Sequence, residues 1–380
     1  MIPKLQDLCE YFKSINLGLV LVFSVVGLTF LGLVVLASAS LSFSQDTRSI
    51  FNKQLIWLVI AVTMGVITFY MDLEKFRNLS VFIAIGTLML LVLVLIPGLG
   101  IRVNGAQRWL GVGSMRFQVS EFAKLSLVFI LAHYLSIQQR YIKQFVRGFL
   151  IPSIIIGILC ISIILEPDFG TTFLCGCVGF GMLFAAGVRL YYLLPSLLLG
   201  GGLFFIAVLL DPVRLRRLTS FLDIESNKAD GAYQLWQGIL AFAAGGINGI
   251  GLGHGRQQMA FLPEAHTDFI FPIIGEELGL YFTLGVICLF LCIFIVGYLI
   301  LCRIPDMFYA SLVVGSLLFI VLQALINIGV VTGLLPTKGM SLPFISYGGS
   351  NLIVMFMFIG ILLNALKIWS VGAPIKPSEL

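Results

Sequence analysis

Charge is scarce in this sequence. Asp, Glu, Lys and Arg make up 11% of its 380 residues, where a soluble domain carries about 25%. Hydrophobic residues make up 59%, and the mean hydropathy is +1.07. No water-facing surface can be built from that composition, which excludes a soluble globular protein. Histidine is scarcer still: His133, His254 and His266 are the three present, and they lack metal-ligand spacing. The seven cysteines have the spacing of neither a disulfide framework nor a zinc site. Cys160, Cys175, Cys177, Cys288 and Cys292 lie inside apolar runs and read as small packing residues. A net charge of +5 gives no reason to expect nucleic acid as a partner. No internal repeat or low-complexity tract is evident.

Long apolar runs fill the space that charge leaves. A spanning helix needs roughly 20 apolar residues. Such runs occur near 17–37, 54–71, 79–96, 120–136, 149–165, 170–187, 190–210, 268–300, 306–332 and 346–366. The expectation is an all-α polytopic membrane protein with about ten transmembrane helices in one domain spanning 1–380. A short N-terminus (1–16), a large loop between helices seven and eight (about 211–267) and a short tail (about 367–380) complete it. The first run follows Lys4 and Lys13 and precedes Ala37-Ser38-Ala39, which mimics a signal cleavage site. Its apolar stretch exceeds the roughly 7–15 residues of a signal peptide, so an uncleaved helix is expected.

Lys and Arg in short loops orient such a chain. With the N-terminus inside, the inside segments hold Lys4, Lys13, Lys75, Arg77, Arg140, Lys143, Arg147, Arg189, Arg303, Lys367 and Lys376. The short outside segments hold Arg48, Lys53, Arg102, Arg108, Arg116 and Lys338. The larger inside set places both termini in the cytoplasm. The outside loops are nonetheless basic, because 211–267 adds Arg214, Arg216, Arg217, Lys228 and Arg256. Solvated loops touching lipid phosphate explain this as well as a site for an anionic, membrane-borne ligand does.

Polar groups are expensive in a membrane protein, so where they cluster is informative. Three outside segments concentrate them. The first runs from Asn104 to Lys124 and includes Arg108, Trp109, Arg116, Gln118, Glu121 and Lys124. Glu121 and Lys124 are three apart on one helical face, as a local ion pair or as part of a site. The second is Leu262-Pro-Glu264-Ala-His266-Thr-Asp268-Phe-Ile-Phe271, followed by Gly275-Glu276-Glu277-Leu-Gly279. A helix beginning near Pro263 sets Glu264 and Asp268 one turn apart, and Glu264 also suits a helix N-terminus. Glu276 and Glu277 then lie roughly 12–14 Å deeper at about 1.5 Å per residue. At that depth they need a cavity, a basic partner or a proton. The third segment, Leu335 to Asn351, carries Lys338, Ser346, two prolines and three glycines, and reads as a shaped loop or re-entrant stretch. The run Gly249-Ile-Gly251-Leu-Gly253-His-Gly255 lacks the strand–turn–helix context of a dinucleotide site. A flexible or tightly packed loop is expected there.

These segments, in this order, resemble the SEDS family, the RodA/FtsW polymerases of bacterial cell-wall synthesis. The resemblance covers nearly the whole chain. Its most specific parts are Pro263-Glu-Ala-His-Thr-Asp268-Phe-Ile-Phe with Gly275-Glu-Glu-Leu-Gly, and Pro336-Thr-Lys-Gly with Pro343-Phe-Ile-Ser-Tyr-Gly-Gly-Ser. Glu264-Ala265-His266 and Tyr233-Gln-Leu-Trp-Gln are more similar to the division branch, FtsW, than to the elongation branch. Val119 stands where the family usually has Pro after the Gln of the first motif, which bears on the entry turn of the fourth helix.

The resemblance implies a lipid II polymerase at the outer face of the cytoplasmic membrane, acting in septal wall synthesis. Lipid II is a disaccharide-peptide on undecaprenyl pyrophosphate. Asp268 is the implied general base. Arg108, Arg116, Lys124 and Lys338 are candidate pyrophosphate or substrate contacts. Glu121 is placed to orient Lys124 and Glu264 to organise its loop, with His266, Glu276, Glu277 and Ser346 as further supporting residues. Direct displacement inverts the sugar. Partners implied are a class B penicillin-binding transpeptidase and other membrane proteins of the division machinery. No cofactor is implied; a divalent cation at the pyrophosphate stays open, with no metal site legible. Two other classes also remain. A lipid II flippase predicts the same spans but wants polar groups along the whole path, whereas these cluster on one side. A recruiting scaffold fits buried Glu276 and Glu277 poorly.

Overall fold

Away from water a backbone must satisfy its own hydrogen bonds, so apolar runs of this length become helices. The computed structural model describes residues 16–42, 45–103, 106–112, 115–256 and 266–370. Three helices come first: α1 (Leu17–Ser42), α2 (Gln45–Tyr70) and α3 (Leu73–Leu95). A small sheet of β1 (Ile101–Val103), β2 (Ala106–Val112) and β3 (Met115–Gln118) follows. Then come α4 (Val119–Ile137), α5 (Ile151–Leu165), α6 (Phe169–Ala185) and α7 (Leu190–Leu209). Within the long loop are α8 (Pro212–Leu222) and α9 (Tyr233–Gly245). The chain closes with α10 (Ile270–Leu278), α11 (Leu280–Leu301), α12 (Met307–Val331) and α13 (Gly349–Ser370).

Among the described residues, nine helical stretches are long and apolar enough to cross a bilayer. The tenth expected span, α6, is 17 residues long, about 25 Å at 1.5 Å per residue, short of a hydrocarbon core of about 30 Å. Its N-terminus is capped by Asp168, whose carboxylate accepts from the Thr171 N–H at 3.1 Å. The interior is formed by α4, α12 and α13, while α7 is almost wholly exposed at the periphery. Phe319 of α12 and Phe358 of α13 stack across that interior at 5.4 Å.

Two local features depart from the expected pattern. The helical architecture carries an antiparallel β1-β2-β3 sheet, with Trp109 opposite Gln118 and Gly111 opposite Arg116. The run 268–300 is two helices rather than one. Gly279 breaks it with φ +79°, a conformation open to glycine and strained for other residues. The cause is close packing: a Cβ at Gly279 would overlap the backbone of Ile247 and Gly249. Val119 leaves the entry of α4 intact. The helix still begins there, with Gln118 extended at its N-cap.

Candidate active site

The second and third polar segments come together through backbone groups. Tyr347 N–H donates to the His266 carbonyl at 2.9 Å. The Ser346 hydroxyl donates to the Thr267 carbonyl and accepts from Leu342 N–H at 2.8 Å. Asn327, on α12, donates through one amide to the carbonyls of Asp268 (2.8 Å) and Met340 (2.6 Å). Asp268 therefore precedes α10 in a turn anchored on both sides, and is not inside a helix starting at Pro263. Glu264 lies outside the described residues.

Asp268 is half-buried, and its carboxylate faces the main chain of Gly339. A Cβ there would come within 2.6 Å of Asp268 Oδ2, so a side chain at this position would displace the carboxylate. The adjacent Lys338 turns the other way. Its Cε lies 3.4 Å from the position a Gly170 Cβ would take. Its ammonium sits 4.5 Å from the Phe173 ring centroid. One dipeptide thus touches the expected base with its backbone and carries a cation with its side chain. Burial pushes the Lys338 ammonium down to about 8, opposed by the negative charge of Asp168.

Glu121 and Lys124 form an internal pair. Lys124 Nζ donates to both Glu121 oxygens at 2.8 Å and to Gln323 Oε1 at 2.8 Å. Asn351 Nδ2 donates to Glu121 Oε2 at 3.1 Å. An ammonium has three N–H bonds, and these acceptors use all three. Lys124 is 2% exposed, so in this arrangement it braces α4 against α12 and α13 and presents nothing to a substrate. Glu121 does hold Lys124, as expected. Arg116 is exposed on β3, and its guanidinium has no hydrogen-bond partner among the described residues.

Glu276 and Glu277 are each 1% exposed. They end the nine-residue α10 instead of lying deep in a continuous span, and the glycine loop wraps them. Glu277 Oε1 accepts from Ser38 Oγ (2.8 Å) and Gly253 N–H (3.1 Å). Glu276 Oε1 accepts from Arg256 N–H at 2.9 Å. The backbone of the loop also donates, with Ile250 and Gly251 N–H on the Glu276 and Glu277 carbonyls at 3.0 Å. The loop expected to be flexible or tightly packed is tightly packed, and it answers the carboxylates with main-chain donors.

A fourth polar segment escaped the sequence reading: Glu166-Pro167-Asp168, the turn between α5 and α6. Asp168 Oδ2 accepts from Gln118 (3.1 Å), Ser120 (3.2 Å) and Thr171 Oγ1 (2.9 Å). Arg108 reaches this turn from β2. Its Nε donates to the Glu166 carbonyl at 2.9 Å and its Nη2 to the Pro167 carbonyl at 2.5 Å. Arg214 of α8 donates to the same Pro167 carbonyl at 3.4 Å. Two acids interrupting apolar runs between 165 and 169 were the available signal. Gln323 and Asn327, one helical turn apart within an apolar run, were another. Among the described residues, no three His, Cys, Asp or Glu side chains group as metal ligands.

The arrangement joins a half-buried carboxylate, several cations and an aromatic wall at one end of a helical bundle. Comparison with known proteins bears on what it does. The model of the cell cycle protein family of FtsW, RodA and SpoVE matches residues 19–369. A protein of Coxiella burnetii named "Probable peptidoglycan glycosyltransferase FtsW" is 38% identical over 354 residues, covering 90% of this chain and 94% of its own. A protein of the same name from Legionella pneumophila is 38% identical over 353 residues, covering 90% and 89%. Two solved structures share the fold. One is a chain of a peptidoglycan synthase complex that coordinates polymerization and crosslinking, at TM-score 0.73 and 24% identity, covering 93% of this chain and 98% of that one. The other is the rod shape determining protein RodA of Thermus thermophilus, at TM-score 0.69 and 24% identity, covering 92% and 96%.

Proposed function

We propose a reaction for this chain from one premise: it belongs to the FtsW/RodA/SpoVE family of cell cycle proteins. The chain is a peptidoglycan glycosyltransferase of the division branch, an enzyme of septal wall synthesis in the bacterial inner membrane. Its substrate is lipid II. Both termini are cytoplasmic and the site opens on the outer side. The observation that carries this reading is the Lys338-Gly339 dipeptide, which sets a carboxylate and a cation on two sides of one short stretch of backbone.

A sugar hydroxyl of the acceptor attacks the anomeric carbon of the donor. Asp268 takes the hydroxyl proton as the new carbon–oxygen bond forms. The bond from that carbon to the lipid pyrophosphate breaks, and both electrons leave with the pyrophosphate. Lys338 and Arg108 meet the negative charge that develops there. A single displacement inverts the anomeric centre. Arg116, exposed beside the site, steers the anionic substrate. A class B penicillin-binding transpeptidase crosslinks the product, in keeping with likeness to a complex that coordinates those two steps.

Purified protein given lipid II tests this directly. The expected product is a ladder of glycan strands on a gel, enhanced by the cognate transpeptidase. Transfer of lipid II across vesicles with no ladder would establish the flippase instead. The one-sided placement of charge around Asp268 and Asp168 favours chemistry over passage.

A further inference from the structure

A pyrophosphate that leaves beside Lys338 and Arg108 carries a prenyl chain that needs a seat of its own. We propose that the corner formed by the Glu166–Asp168 turn, α6, α7 and α8 is the seat of the donor's prenyl pyrophosphate. Arg108, Arg214 and Lys338 take the pyrophosphate, and Phe173 and Phe204 take the first isoprene units. This rests on the glycosyltransferase reading and extends it to a residue, Arg214, and to a wall of rings.

Two guanidinium groups converge on one neutral oxygen. Arg108 and Arg214 both donate to the Pro167 carbonyl, which places like charges side by side. Arg214 has one close carboxylate, Asp211 at 2.8 Å. Among the described residues, the carboxylate paired with Arg108 is Asp168 at 3.9 Å, and the Asp168 oxygens already accept from Gln118, Ser120 and Thr171. A guanidinium has five N–H bonds. Each arginine uses two in hydrogen bonds, so three on each remain for a ligand. Their side chains are 29% and 22% exposed, enough to receive one. Planar forks held together in this way match phosphate oxygens.

The nearest further acid does not neutralise them. Glu166 is fully buried, and among the described residues neither of its carboxyl oxygens has a hydrogen-bond partner. Burial first, then the Asp168 charge, pushes this carboxyl up to about 8 against the pull of Arg108. At neutral pH it is mainly uncharged, and the positive charge of the pair survives.

The cations also lie on rings, which sets this corner apart from a site for a free anion. Arg214 Cζ is 3.3 Å from the Phe169 ring centroid. Lys338 Nζ is 4.5 Å from Phe173 and 5.5 Å from Phe204. Phe204 links the other two, with centroids 5.8 Å from Phe169 and 5.4 Å from Phe173. Phe173 is 41% exposed, and the wall continues along the exposed apolar face of α7. Charge on one side and hydrocarbon on the other is the pattern of the junction between a pyrophosphate and its prenyl chain. Lys338 places this seat one residue from the Gly339 backbone that faces Asp268, so base and leaving group lie at neighbouring points of one loop.

The test uses full-length protein in detergent, with farnesyl pyrophosphate and inorganic pyrophosphate as competitors of lipid II. Farnesyl pyrophosphate is expected to inhibit at least about tenfold more strongly, the equivalent of burying one or two isoprene units. Arg214→Gln should raise the lipid II KM and weaken that inhibition by about tenfold, the scale of a lost charge-assisted hydrogen bond. Arg214→Lys should fall between the two. Phe173→Ala should erase the preference for the farnesyl compound and leave inorganic pyrophosphate unchanged. The seat is refuted if Arg214→Gln, melting with wild type, keeps both constants. It is also refuted if phosphatidylglycerol competes as well as farnesyl pyrophosphate, which marks a general headgroup site. Direct binding of farnesyl pyrophosphate, read by tryptophan fluorescence, separates this from the parent reading: binding without any polymer from wild type would overturn the glycosyltransferase and keep the seat.

Discussion

Two neighbours that carry no charge help to place Asp268. The Asn327 amide holds its carbonyl, and Gly339 leaves room for its carboxylate. Gly339→Ala should push that carboxylate aside and lower kcat on the order of 10²-fold, the scale of a small misplacement of a reacting group. The melting temperature should move little, since Gly339 is exposed; equal losses of activity and stability would contradict this. Two nearby groups titrate in the same range. As pH rises through 8, Lys338 loses its charge and Glu166 gains one. The charged groups facing them are Asp168 and Arg108 for Glu166, and Asp168 for Lys338. Both titrations remove positive charge from the pyrophosphate seat, so KM for lipid II should climb between about pH 7 and 9. Glu166→Gln should flatten part of that climb. A KM independent of pH would show that neither group meets the substrate.

At the scale of elements, the buried Glu121–Lys124 pair ties α4 to α12 and α13 through Gln323 and Asn351. Removing one partner leaves a charge buried alone, which costs about 3–5 kcal/mol. Lys124→Met should therefore lower the melting temperature sharply, and Glu121→Gln combined with it should recover much of the loss. A Lys124→Met protein as stable as wild type, with a raised KM, would return Lys124 to the substrate side. Helix positions were legible because the apolar runs are long: nearly every expected span recurs within a few residues. The break at Gly279 was not, since its cause is the backbone of Gly249 and Ile247, some thirty residues earlier. The same holds for Glu276 and Glu277. Their side chains announced a need for partners, but the donors include main-chain N–H groups that no residue identity advertises. The Asp168 turn was missed because its acids are few and look like an ordinary helix cap, which Asp168 also is. Its place beside the proposed seat emerges only when Arg108, Arg214 and Lys338 converge from three distant segments.

For the whole molecule, the bundle serves to bring connections from four pairs of helices to one end. Arg108 follows α3, Glu166 follows α5, Arg214 follows α7, and Lys338 follows α12. The proposed topology has that end outside. Arg116→Cys in intact cells should then react with a membrane-impermeant maleimide, and Arg303→Cys should not; the reverse pattern would invert the topology. Enclosing the site in a bundle also explains why so few charges suffice, since each acts in a medium poorer in water than a soluble surface. The most direct test of the account is polymerisation of lipid II by purified Asp268→Asn protein. Loss of glycan synthesis by about 10²–10⁴-fold, the range of a general base, with lipid II KM nearly unchanged, is the predicted result. Full polymerisation by that variant would contradict the assignment of the base and the mechanism built on it.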